Sequence, residues 1–157
     1  MQTNYLLPNK YKPLGWVFLI IGLIGGILMY AQLIEGELLS MKVFTIYNGD
    51  SIFGNDQGFF KVIENGVLDE ILALFIIIGG LIVGFSREKV EDEFIYKLRK
   101  DSLVWAIIFN YVILMLAVLF IYSFAFFDVL VFNMFTPLIF FIVRFNFLKR
   151  KTESHEE

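Results

Sequence analysis

Between two long apolar runs of this chain lies Ser86 to Asp101, SREKVEDEFIYKLRKD, in which ten of sixteen residues are charged. That alternation restricts the fold more than any single motif. A run of about 20 uncharged residues, rising 1.5 Å each as a helix, crosses a hydrocarbon core of roughly 30 Å, and a charged segment between two such runs must stay in water. Four runs approach this length and are strongly apolar, at residues 14–33, 67–85, 103–122 and 129–147, the second with Asp69 and Glu70 near its start and the fourth with Arg144 near its end. They predict an all-α integral membrane bundle of four transmembrane helices, one membrane domain over residues 1–157. The same pattern predicts a charged helix at 86–101 between the second and third spans, and a non-membrane loop at 35–65 between the first and second.

Composition agrees with this class: 58 % of the 157 residues are hydrophobic, above the half or so of soluble domains and gathered into unbroken stretches. The absence of Cys excludes a disulfide framework, a thiol nucleophile and a thiolate metal site. The single histidine, His155, lies in the polar tail KTESHEE, which excludes a histidine proton relay within the membrane. No cofactor or metal site is expected, and the nineteen Phe residues suit lipid contact and interhelical packing.

The lead to Pro13 carries Lys10 and Lys12 before the first run. A retained span is expected in place of a cleavable signal peptide, because the run exceeds a usual h-region and Met29-Tyr30-Ala31 lacks the small residue that cleavage prefers. In the loop, Lys42 to Tyr47 and Phe59 to Ile63 are rich in β-branched and aromatic residues and flank the turn signal Asn48-Gly49-Asp50, which suits a small hairpin. Asp50, Asn55 and Asp56 lack the spacing of a calcium loop and read as turn residues. Asp69 and Glu70 stand within one turn of the expected interface, where carboxylates stay hydrated. The short link Ser123 to Asp128 makes the third and fourth runs an antiparallel helical hairpin.

Lys and Arg set the expected orientation. Two precede the first span, five lie from Arg87 to Lys100 and four from Arg144 onward, so eleven of thirteen fall on one side and only Lys42 and Lys61 on the other. By the positive-inside rule both termini and the charged segment face the cytoplasm of a bacterial inner membrane, and the outer face is acidic.

Within the runs, Gly15, Gly22 and Gly26 return to one helix face, as do Ala73, Gly80 and Gly84, each set with a G-x-x-x-G spacing. These faces suit close packing of the first two spans or a subunit interface. Asn110, with Tyr111 beside it, and Asn133, Thr136 and Pro137 are the polar features of the third and fourth spans. An amide there needs a partner, and Pro137 frees the carbonyl of Asn133. Arg144 can snorkel to the headgroups or pair with Asp101.

In Ser86 to Asp101, Ser86 is the expected N-cap. Acidic residues (Glu88, Glu91, Asp92, Glu93) come early and basic ones (Lys97, Arg99, Lys100) late, matching a helix dipole. Lys89, Glu93, Lys97 and Asp101 alternate in sign at i,i+4. The run EDEFIYKLRKDSLVWAIIFNYVILMLAVLFIYSFAF, continuing to FNMFTPLIFFIVRFNF, resembles the C-terminal half of small four-span membrane proteins of flavobacteria. The resemblance rests on Asp92 to Arg99, Ser102 to Trp105, Asn110 to Tyr111, Asn133 to Pro137 and Arg144 to Asn146. It implies four spans and, if such proteins are encoded beside small helix-turn-helix regulators, a part in signalling. It carries over no catalytic role.

Three functions fit these features. The first is a non-enzymatic subunit, sensor or regulator that docks a partner on Glu91, Asp92, Lys97, Arg99 and Lys100. The second is a small oligomeric transporter or channel with a polar site near Asn110 and Asn133 to Pro137. The third, least supported, is a lipid-modifying enzyme using Glu91, Asp101 and Arg144. Expected partners are the lipid bilayer and a protein, either a separate one or a second copy, and not nucleic acid.

Overall fold

In the computed structural model, which describes residues 6–48 and 58–153, the apolar runs are helical but do not form the expected four-span, all-α bundle. The elements are α1 (Lys12–Tyr30), β1 (Ser40–Asn48), β2 (Gly58–Gly66), α2 (Leu68–Gly84), α3 (Glu93–Phe120) and α4 (Phe124–Glu153), with short 3-10 turns before α1 and β1. Among the described residues only α1, α3 and α4 are long and apolar enough to cross a membrane. Helix α2 has 17 residues, about 25 Å of helix, which falls short of a core of roughly 30 Å. The sequence run was longer because it borrowed residues from both sides: Val67 donates its N–H to the Leu39 carbonyl at 3.0 Å, and the chain leaves the helix at Phe85.

The loop is the second departure from an all-α fold. β1 and β2 pair antiparallel from Ser40↔Gly66 to Thr45↔Lys61 and again at Tyr47↔Phe59. Phe60, with φ of 56°, stands at the one gap in the pairing, which resumes in the same register. The Phe44 and Phe60 rings stack at 6.1 Å, and Tyr47 meets Phe59 at 5.1 Å, aromatic cross-strand contacts of the kind that hold a hairpin together. Asp50, Asn55, Asp56 and His155 lie outside the described residues.

Backbone packing divides the chain into two units, residues 21–74 and residues 1–20 with 75–157. In the first, Asn65 donates to Glu70 at 3.2 Å. A hydrogen bond shared with neighbouring Asp69, then burial, raises the Glu70 pKa above its ordinary value. In the second, the core is Leu6, Leu19, Ile76, Val83, Ala106, Ala117, Phe141, Ile142 and Phe145. This core is small, because only 11 to 17 % of each apolar span is buried within the protein. So much exposed apolar surface is incompatible with water. The chain is a membrane protein.

Glycines set the closest approach in that second unit. A Cβ on Gly79 would lie 2.8 Å from the Gly15 carbonyl oxygen and against the Leu19 backbone, so α1 and α2 touch main chain to main chain. Gly80 and Gly84 instead face α4, beneath Leu138 and Phe141. Gly15 therefore works with Gly79, which the spacing pattern passed over. Gly22 is buried and Gly26 half-buried. Gly80→Ala is expected to cost about 1 kcal/mol, read as a lower melting temperature in lipid nanodiscs, because the Leu138 side chain can move aside.

Candidate docking site at the charged link

Helix α3 starts at Glu93, not at Ser86. Asp92 is extended at φ −106° and accepts the Ile95 N–H at 2.8 Å, a side-chain cap on the first turn. The expected helix over 86–101 is thus helical only in its second half. Residues before the cap are claimed by longer-range bonds: the Leu7 N–H donates to Phe85 O at 2.9 Å and the Arg87 N–H to Leu7 O at 2.8 Å. Ser86 caps nothing; its hydroxyl donates back to the Ile82 carbonyl at the end of α2.

Two buried charges organise this link. Glu88 is 7 % exposed; one carboxylate oxygen accepts from Lys12 at the start of α1, and the other from Lys149 near the end of α4 at 2.9 Å. Burial pushes the Glu88 pKa up, but the hydrogen bonds and charges of the two lysines outweigh it and hold the carboxyl below its ordinary value. A depressed carboxylate contributes stability that is present above its unfolded pKa, about 4.3, and is lost as pH falls through the folded value. Melting temperature should therefore drop as pH is lowered below about 4.3, with Glu88→Gln removing part of that dependence.

Arg99, 3 % exposed, is the second centre. Its guanidinium donates to both carboxylate oxygens of Glu91 at 2.7 and 3.2 Å and to the Ser86 carbonyl at 3.2 Å. It also lies 5.1 Å from the Phe145 ring centroid. Glu91 turns back to accept the Glu88 N–H at 2.9 Å, so the two ionic centres share one loop. Arg99 Nε and Ser102 Oγ are buried without a hydrogen-bond partner among the described residues.

No family model, curated protein or solved structure matches the chain. The site must therefore be read from its own geometry. Of the five residues expected to meet a partner, Glu91, Asp92 and Arg99 are engaged within the chain, whereas Lys97 and Lys100 are exposed. Val90 and Phe94, 73 % and 49 % exposed, stand beside them as apolar points. The pairing of Glu88 with Lys12 and Lys149 escaped the sequence, because nothing in a one-dimensional pattern joins residues 61 and 76 positions apart.

The intramembrane polar residues gather elsewhere. Asn133 Nδ2 donates to Asn110 Oδ1 at 3.0 Å, and Asn110 Nδ2 returns a bond to Asn133 Oδ1 at 3.4 Å. Each amide is the other's partner across α3 and α4, alongside Phe109 and Phe140, stacked at 4.3 Å. Thr136 donates to the Phe132 carbonyl at 3.0 Å rather than to that of Asn133, and α4 runs on through Pro137. Tyr111 is exposed. Arg144 lies 5.5 Å from the Trp105 ring centroid, a cation–π contact that the sequence reading, which offered snorkelling or a pair with Asp101, did not include. Asn110→Leu should destabilise by roughly 0.6 to 2 kcal/mol, because it strands the Asn133 amide. The double replacement Asn110→Leu with Asn133→Leu should recover most of that loss in a melting experiment.

Proposed function

We propose that the protein is a non-enzymatic membrane component, a subunit, sensor or regulator, that docks a protein partner on the first turns of α3. The observation that carries this reading is a division of labour within the segment. Glu88, Glu91 and Arg99 are used internally to fix its shape, while Val90, Glu93, Phe94, Lys97 and Lys100 are left outward. A rigid element that presents apolar points among mixed charges suits recognition, since little ordering entropy remains to be lost on binding.

The docking side faces the cytoplasm of a bacterial inner membrane, with both termini on that side. The eleven Lys and Arg of the lead, the link and the C-terminal end support this orientation, because Lys12 and Lys149 meet one carboxylate of the link, Glu88, which draws these three segments to one side. A channel or transporter using Asn110 and Asn133 has less support, because those amides saturate one another. A photo-crosslinker at Lys97 in native membranes should yield one discrete protein adduct. Adducts with lipid alone would sink the docking reading.

A further inference from the structure

A groove of about 960 Å³ opens beside the Glu88 centre, between the start of α1, the link and the end of α4. Lys12, Lys89 and Lys149 supply its positive charge against Glu88 and Asp92; Pro13, Trp16 and Ile95 supply apolar wall. We infer that this groove binds the headgroup of an anionic membrane phospholipid, with the phosphate between the lysines and the start of the acyl region against Trp16.

Several features converge on that ligand. Glu88 grips Lys12 and Lys149 on its two oxygens, which fixes two ammonium groups side by side at one mouth. An ammonium has three N–H donors, so Lys12 has more than its bond to Glu88 uses, and Lys149 brings a second positive charge to the same place. Lys89 is exposed and adds a third cation on the opposing link. The depth of the groove favours a lipid over a soluble phosphate. Lys12 begins an apolar span and Lys149 lies near the end of another, so the site falls where hydrocarbon gives way to water. Trp16, one turn into α1 and 36 % exposed, is the residue type that anchors at that boundary. The groove shares Val90 and Phe94 with the proposed docking face, but its cations are Lys12, Lys89 and Lys149 and not Lys97 or Lys100, so the lipid site does not rest on that reading.

The full chain is reconstituted in phosphatidylcholine nanodiscs containing increasing phosphatidylglycerol, on a Trp105→Phe background so that Trp16 is the only indole. Brominated phosphatidylglycerol should quench Trp16 saturably and in preference to brominated phosphatidylcholine. Lys89→Gln should weaken that preference about fivefold, the effect of one lysine worth about 1 kcal/mol at an anionic surface. Lys89 is exposed, so its replacement should leave the melting temperature in pure phosphatidylcholine unchanged. Melting in anionic discs reads the same binding without the indole: phosphatidylglycerol should raise the parent's melting temperature more than that of Lys89→Gln. Equal quenching by both lipids, an unaltered preference in Lys89→Gln, or equal protection by inorganic phosphate would each overturn the assignment.

Discussion

Arg99→Ala should be the most damaging single substitution in the protein, lowering stability by about 3 to 5 kcal/mol. Arg99 is 3 % exposed and serves three groups together: the Glu91 carboxylate, the Ser86 carbonyl and the Phe145 ring. Its removal leaves the buried Ser86 carbonyl without this donor and a void beside the buried Phe145, both costly where water cannot enter, and takes the counter-charge from the partly exposed Glu91. Arg99→Lys should restore little, because one ammonium cannot reproduce the planar fork that reaches both Glu91 oxygens and Ser86. Removing the charge pair as a unit should cost less than breaking it, so Arg99→Met with Glu91→Met should melt above Arg99→Met alone. Thermal unfolding in nanodiscs reads all four variants. If Arg99→Ala melts with the parent protein, the link is not organised as described.

Gly79→Leu is expected to have the next largest effect. The atoms that a side chain there would strike are the Gly15 carbonyl and the Leu19 backbone, and main chain cannot swing aside as a rotamer can. Overpacking of this kind typically costs 1 to 3 kcal/mol, and here α1 and α2 must separate to relieve it. Even Gly79→Ala should be felt. Gly25→Ala, where the added methyl meets the mobile end of Leu72, should be much milder and serves as the control. Equal melting of Gly79→Leu and Gly25→Ala would refute main-chain contact between the helices.

The two positions differ in how far they could be read in advance. Arg99 stood out as a charge late in a charged segment, which suited a solvated helix face; its burial depends on Glu91, eight residues earlier in that segment, folding back onto it and on Phe145 arriving from α4. Gly79 adjoins Gly80, and periodicity alone selected Gly80 because it shares a face with Gly84 and Ala73. The structure uses both faces of α2, with Gly79 turned to α1 and Gly80 and Gly84 to α4. Asn110 was the clearest case. An amide inside an apolar span must find a partner, and among the described residues the one it meets is Asn133.

By itself the sequence determined that this is a membrane protein with long apolar helices and a charged link ahead of the third, and it offered a hairpin in the loop after the first only as one possibility within an otherwise all-α reading. Apolar run length, β-branched composition and charge spacing are local quantities, and each element answers to one of them. The tertiary structure alone decided that α2 stops at 17 residues, that Asp92 rather than Ser86 caps α3, and that Glu88 holds Lys12 and Lys149 together. The physical reason is competition for hydrogen bonds. After α2, Leu7 takes the Arg87 N–H that a longer helix would have used, whereas at its start the Val67 N–H, which has no acceptor within a helix, bonds Leu39 while the Val67 carbonyl accepts from Ile71.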